Sequence, residues 1–163
     1  MSESSEQARE SVGDVFTQSL VPKLQSHPKR IVFTDGADER ILRVAERMVK
    51  SEVGIPILLG NRQEIHQLAE DLGISLNFVK VLEPSAAGDF EVFCDFLRRT
   101  EHVRGVEISN PEEILRQPAY FGAMMIQYGQ ADGLVGGNQS YPASIFRALL
   151  HLVKPVLSVP RVF

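Results

Sequence analysis

Residues 30–40, Arg30-Ile-Val-Phe-Thr-Asp-Gly-Ala-Asp-Glu-Arg40, join a short apolar run to a helical pattern through an acidic turn that contains glycine. The run Ile31 to Phe33 predicts a buried strand, and the turn then leads into apolar residues at helical spacing: Ile41, Leu42, Val44, Ala45, Met48 and Val49. The polar cluster Asp35, Asp38, Glu39 and Arg40 favours a role at the helix start, where acids complement the helix dipole. The alternative is that these residues face the ligand crevice at the carboxyl end of a parallel strand.

A second strand, turn and helix follows about ninety residues later, at Ala131-Asp-Gly-Leu-Val-Gly-Gly137. Glycines let the backbone approach a ligand closely, and a helix start presents N–H groups to an anion. Ser140 and Tyr141 can donate hydroxyls to an oxyanion or cap the next helix. Arg147 lies on that helix and adds a fixed charge. We expect an anion site at this loop, and the alternative is a turn followed by a solvated arginine.

Between and around these stretches, strand and helix signals alternate. Further strands are predicted at Ile57-Leu-Leu-Gly60, Phe78 to Leu82, Leu134-Val135 and Val156-Leu157. Helix starts are indicated by Asn61, by Asn110-Pro-Glu-Glu and by Pro142, and Asp132 is expected to order the strand after it. Strands separated by helices predict an α/β fold, a three-layer α/β/α sandwich with a mainly parallel sheet.

One domain is expected, because the chain of 163 residues contains no internal repeat and no low-complexity linker. Residues 1–7 are polar and predict a disordered amino terminus, and residues 8–163 form the single α/β domain. Its first part is an appended helix that carries Val12 to Leu24 and ends at His27-Pro28. The single cysteine, Cys94, stands among phenylalanines, which favours a buried thiol.

Charge and composition exclude several classes of function. The formal net charge of −4, from 17 Lys and Arg against 21 Asp and Glu, provides no basic field for nucleic acid. No apolar stretch approaches the roughly 20 residues that cross a bilayer, and the acidic amino terminus is unlike a signal peptide. We therefore expect a cytoplasmic protein without nucleic-acid or membrane partners. The four histidines show no metal-ligand spacing, so no metal site is predicted.

The two glycine-containing stretches, in this order, resemble the amino-terminal half of the phosphate acetyltransferase and phosphate butyryltransferase family. That family shows R-I-V-F-P-E-G-x-D-E-R, then Y-F-G-T-M-M, A-D-G-L-V-x-G and a helix with R-x-x-L. Here the second group begins with Tyr120-Phe-Gly-Ala-Met-Met. The resemblance covers nearly all of the chain after the first two dozen residues. It implies the first domain of an isocitrate/isopropylmalate dehydrogenase-like fold.

The resemblance also implies a chemistry, the reversible transfer of a short acyl group between coenzyme A and inorganic phosphate. It places Arg147 and Arg98 on arginines that bind phosphate or coenzyme A, with Gly137, Ser140 and Tyr141 in the same site. Arg98 and the adjacent Arg99 equally suit the negative end of a helix dipole. The loop departs from the His-Ser-Thr stretch usual in the family, which leaves the acyl group open.

Coenzyme A and acyl phosphate or inorganic phosphate are the expected partners, with coenzyme A as a substrate and no tightly bound cofactor. Family members have about twice this length, so we expect the amino-terminal half of a two-domain enzyme. The resemblance assigns the catalytic residues to the other half, and this chain alone is expected to be inactive. A homo-oligomer is expected. The alternatives are a sensor of acyl-coenzyme A, like the carboxyl-terminal domain of large malic enzymes, and a self-associating structural module.

Overall fold

The computed structural model describes residue 16 and residues 18–99 and 110–153. The helices and strands of this part follow one another in alternation, with a 3-10 turn at Pro84–Ala86. In chain order they are α1 (residues 18–26), β1 (Lys29–Phe33), α2 (Glu39–Lys50), β2 (Gly54–Leu59), α3 (Arg62–Asp71), β3 (Lys80–Leu82), α4 (Phe90–Arg99), α5 (Pro111–Leu115), α6 (Pro118–Gln127), β4 (Gly133–Val135) and α7 (Pro142–Leu152).

The four strands of the described residues form one parallel sheet in the order β3-β2-β1-β4. Val32 of β1 is in register with Ile57 on one side and with Leu134 on the other. The prediction of a mainly parallel sheet is therefore confirmed. The strand predicted at Val156-Leu157 and the predicted disorder of residues 1–7 lie outside the described residues.

Several strand boundaries differ from the prediction, and those at the starts of β2 and β3 have an identifiable cause. β2 begins at Gly54 rather than at Ile57 and runs through Pro56. Proline fits there because β3 starts to pair with β2 only at Ile57, so no ladder bond is required of Pro56 on that side. β3 begins at Lys80 rather than at Phe78, because Phe78 has a φ of 63° in the left-handed region and its side chain is exposed.

Alternate strand residues supply the cores on the two faces of the sheet, which accounts for their continuous apolar runs. Val32 and Leu59 pack with the buried faces of α4, α5, α6 and α7. Phe33 and Leu58 pack on the other face with α2 and α3. Complete burial of a side chain such as Leu58 contributes about 1.5–3 kcal/mol. The helices thus cover both faces, which confirms the three-layer sandwich.

Close contact of α6 with the sheet depends on a residue without a side chain. A Cβ at Gly122 would lie 2.7 Å from Leu134 Cδ1 and 3.1 Å from Val32 Cγ1. Phe121 beside it stacks in a tilted arrangement on Phe93 of α4, with ring centroids 5.2 Å apart. Cys94 is fully buried in the same core, as predicted. In the described ranges, none of the helices combines the length and the apolar character that a bilayer crossing needs.

The strand order produces a switch point between β1 and β4. β2 and β3 extend from one side of β1, whereas β4 joins the other side. The helix after β1, α2, packs on one face of the sheet, and the helix after β4, α7, packs on the opposite face. The two connecting loops therefore part at the carboxyl ends of neighbouring strands. In open α/β sheets this crevice is where ligands bind.

Candidate functional site

The crevice is formed by residues 34–38 after β1 and residues 136–141 after β4. Thr34 N–H donates to the Val135 carbonyl at 3.0 Å and so continues the pairing of β1 with β4 to the carboxyl ends of these strands. Asp35 then extends its carboxylate across the crevice. Its Oδ2 accepts from the amides of both Gly137 and Asn138, each at 3.0 Å.

This bond changes the interpretation of the acidic turn. Asp38 is the N-cap of α2, accepting from Arg40 N–H at 2.8 Å, as expected for a helix start. Hydrogen bonding by Arg40 holds the pKa of Asp38 below its usual range. The same role is wrong for the Asp35 side chain, which lies in the crevice. Since it bonds Gly137, the amide of that glycine already has an anionic partner.

The two glycines of the loop are needed for different reasons. A Cβ at Gly136 would overlap the Thr34 hydroxyl and lie 2.8 Å from Ile145 Cδ1, so the position has no room for a side chain. Gly137 has a φ of 96°, which side-chain-bearing residues rarely adopt. The loop can therefore turn sharply from β4 towards α7.

The start of α7 has donors that no described residue satisfies. Tyr141 is the N-cap residue, but no side chain in the described part of the protein caps the helix, and Tyr141 itself is 84% exposed. Of the two roles considered for the Ser140 and Tyr141 hydroxyls, the capping of this helix is therefore wrong. Ser140 Oγ is buried and, among the described residues, has no hydrogen-bond partner. The Ala143 amide likewise has no acceptor in that part of the chain.

Arg147 lies further along α7, opposite the buried side chains of Ile145 and Ala148. Its side chain is exposed and forms no hydrogen bond or ion pair with any described residue. Its charge acts electrostatically on Tyr120 of α6. Burial raises the pKa of the Tyr120 phenol, and the positive charge of Arg147 partly offsets that rise. The start of α7 lies in the direction in which helical side chains commonly lean.

Tyr120 and His151 are neighbours of Arg147 that the sequence analysis did not single out. Tyr120 Oη lies 3.3 Å from His151 Nδ1, and the ring centroids are 6.2 Å apart. The sequence does indicate that His151 lies near Arg147, because residues four apart share a helix face and His151 follows Arg147 by four. The partner on α6 was not visible from spacing.

Arg98 is placed in a different cluster. It lies in the last turn of α4, where Nη1 bonds Asp95 Oδ1 at 2.7 Å and Nη2 bonds Glu112 of α5. The hydrogen bonds that Arg98 donates to Glu112 and Asp95 raise its pKa. Among the described residues its contacts join α4 to α5 and do not include the loop after β4. Its role at a phosphate site stays a prediction.

The opposite end of β1 and β4 is fixed by Asp132, as expected for a residue that orders the strand. Asp132 Oδ2 accepts from Arg30 N–H at 2.8 Å and from Nε at 3.0 Å, and Oδ1 accepts from Nη2 at 3.0 Å. The hydrogen bonds from Arg30 lower the pKa of Asp132 to about 2. These bonds hold β4 beside β1 and so fix where the loop after β4 starts.

Comparison with known sequences agrees with this architecture. A family profile described as "Phosphate acetyl/butaryl transferase" matches residues 15–161. The phosphate acetyltransferase of Nitratidesulfovibrio vulgaris is 31% identical over 86% of this chain and 20% of its own length. That of Thermoanaerobacterium thermosaccharolyticum is 32% identical over 84% of this chain and 41% of its own length.

Solved structures show the same relation. A phosphotransacetylase from Streptococcus pyogenes superimposes with a TM-score of 0.77 at 28% identity, over 88% of this chain and 45% of that chain. The EutD phosphotransacetylase from Staphylococcus aureus gives a TM-score of 0.75 at 26% identity, over 88% and 44%. The chain thus spans less than half the length of these relatives. With its profile match, its parallel sheet and its crevice between β1 and β4, the chain belongs to the phosphate acetyl/butyryltransferase family.

Proposed function

We propose that this chain supplies the phosphate site of an acyltransferase that exchanges an acetyl or related short acyl group between coenzyme A and inorganic phosphate. The observation that supports this most directly is the start of α7. There the Ala143 amide and the buried Ser140 hydroxyl lack acceptors among the described residues, and Arg147 lacks a carboxylate partner there. A phosphate dianion would satisfy all three.

The start of α7 and Arg147 offer positive charge to an anion, and the arginine side chain is long enough to extend to it. A helix start carries about half a positive charge, and charged hydrogen bonds are roughly twice as strong as neutral ones. Arg147 stands about 7.5 Å along the axis from Pro142, at 1.5 Å per residue. An extended arginine side chain that leans towards the helix start covers most of that distance, so its guanidinium can bind an anion held by Ser140 and Ala143.

The reaction needs more than a phosphate site. Transfer to or from a thiol requires a base that works near neutral pH and donors for the carbonyl oxygen. We propose that these groups, and most contacts to coenzyme A, come from the region of the relatives that this chain does not cover. On this proposal the chain alone binds phosphate but has negligible acyltransferase activity. Release of coenzyme A from acetyl-coenzyme A with phosphate measures that directly.

Phosphate titration followed by amide NMR signals tests the site. Arg147→Ala should weaken phosphate binding at least tenfold, about 1.4 kcal/mol, without loss of folding. Arg47→Ala is the matched control, because Arg47 is an exposed helical arginine on α2. Equal affinities for these two variants would reject the site.

Arg98→Ala tests whether Arg98, the second arginine predicted at the phosphate site, contributes to phosphate binding. A loss of phosphate affinity would mean that Arg98 exchanges Glu112 for the ligand, and unchanged affinity would mean that it only joins α4 to α5. The cytoplasmic location and the homo-oligomer stay predictions, and light scattering of the purified chain tests the latter.

A further inference from the structure

One contact in the crevice is not explained by phosphate binding. The Asp35 carboxylate reaches from the loop after β1 to amides 102 and 103 positions away in the loop after β4. Both amides donate to the same oxygen, Oδ2, at 3.0 Å. Thr34 Oγ1 lies 3.5 Å from that oxygen as well.

Two successive N–H groups that converge on one oxygen form a nest, a backbone concavity suited to anions. Here the nest is made by Gly137 and Asn138, and the protein fills it with its own carboxylate. An external phosphate at the same amides would compete with Asp35 and meet a like charge. The donors left open, at Ser140 and Ala143, lie two to six residues further along the chain.

We propose that Asp35 is a positioning residue for the phosphate site. By occupying the nest it fixes the conformation of the loop after β4, so that the Ser140 hydroxyl and the start of α7 receive the anion while Gly137 and Asn138 do not. This inference rests on the proposed function for the identity of the ligand. The contact between Asp35 and the nest has its own readout.

The first test compares three variants by phosphate titration of amide NMR signals. Asp35→Asn keeps a side-chain oxygen that accepts from both amides, and Asp35→Ala removes it. Glu39→Gln is the control, because it deletes one negative charge from an exposed position on the neighbouring helix α2. Phosphate affinity should fall at least tenfold in Asp35→Ala and stay within threefold of the unsubstituted protein in the other two.

The second test is chemical rescue. Formate carries the deleted carboxylate, so in Asp35→Ala it should shift the Gly137 and Asn138 amide signals and restore most of the lost phosphate affinity. In Asp35→Asn, where the nest stays filled, formate should do neither. Chloride at equal ionic strength should rescue neither variant.

Three results would overturn the proposal. Phosphate could shift the Gly137 and Asn138 signals of the unsubstituted protein more than those of Ser140 and Ala143. Asp35→Ala could bind phosphate normally, or formate could fail to reach the nest of a folded Asp35→Ala variant. If Asp35→Ala does not fold, the map of shifted signals and a tenfold loss in Asp35→Asn decide against the proposal instead.

Failure of the proposed function is distinguishable. The unsubstituted protein would then show no phosphate response at Ser140 or Ala143, whereas formate would still shift the nest amides of Asp35→Ala.

Discussion

Gly136→Ala should destabilise the protein by about 2 kcal/mol, because the crevice has no room for a methyl group at this position. The new Cβ would overlap the Thr34 hydroxyl, which is buried, and would lie 2.8 Å from Ile145 Cδ1. The Ile145 methyl is the end of a flexible side chain and can move. The Thr34 hydroxyl is attached directly to Cβ, and the Thr34 backbone is held by its hydrogen bond to Val135. To avoid the overlap, Thr34 must therefore change its rotamer or shift its backbone.

Urea unfolding followed by circular dichroism measures this effect. With a denaturant dependence of about 2 kcal/mol per molar, the midpoint should fall by about 1 M. Gly88→Ala is the matched control, since a Cβ at Gly88 would have no heavy atom of a described residue within 4 Å. That change should leave the free energy of unfolding within about 0.5 kcal/mol of its original value.

A double substitution identifies the clash as the cause. Thr34→Ala removes the hydroxyl that the new methyl group would overlap, so the double variant should be more stable than the sum of the single losses predicts, by about 1 kcal/mol. Strict additivity would refute the reasoning. An unchanged midpoint for Gly136→Ala alone would refute it as well.

Three further predictions concern residues outside the proposed phosphate site. Because hydrogen bonds from Arg30 lower the pKa of Asp132 from 3.8 to about 2, its ionised form stabilises the fold above pH 3.8, and this contribution is lost as the pH falls through 2. The difference in urea midpoint between the original protein and Asp132→Asn should therefore shrink from pH 6 to pH 2, and a constant difference would contradict this. Asp38→Ala should lower the free energy of unfolding by about 1 kcal/mol through loss of the α2 cap, and Asp38→Asn by less; equal losses would argue against capping. Since burial raises the pKa of Cys94, a thiol reagent should label it only as fast as the protein unfolds, and rapid labelling of folded protein would exclude this.

The sequence predicted best what depends on near neighbours. Asp38 and Asn61 cap their helices through amides two or three residues away, a range in which residue type and position suffice. The buried strands were recognisable because both of their faces are apolar. The start of β3 was predicted two residues too early. Phenylalanine has a strong strand propensity, which favours a strand at Phe78, whereas the left-handed φ of Phe78 cannot be inferred from its residue type.

Contacts between residues far apart in the chain could not be predicted from the sequence. The loop after β4 was recognised from its glycines, but the bonds that its amides donate to Asp35 require β1 and β4 to be neighbours, which residue spacing does not reveal. Arg98 was likewise predicted from its resemblance to a family position. Its pairing with Glu112 depends on how α4 packs against α5, and carboxylates on a neighbouring helix cannot be seen in a linear pattern.

The pairing of β1 with β4 has a consequence for the order of folding. Joining β1 to β2 closes a loop of about 25 residues, whereas joining β1 to β4 closes one of about 100, which costs about 1.2 kcal/mol more in chain entropy. Distant pairings form slowly. The α2 and α3 side of the sheet can therefore assemble first, and the crevice comes into existence only when β4 docks. On the proposed function, phosphate binds a nearly finished protein, so it should slow unfolding more than it accelerates folding.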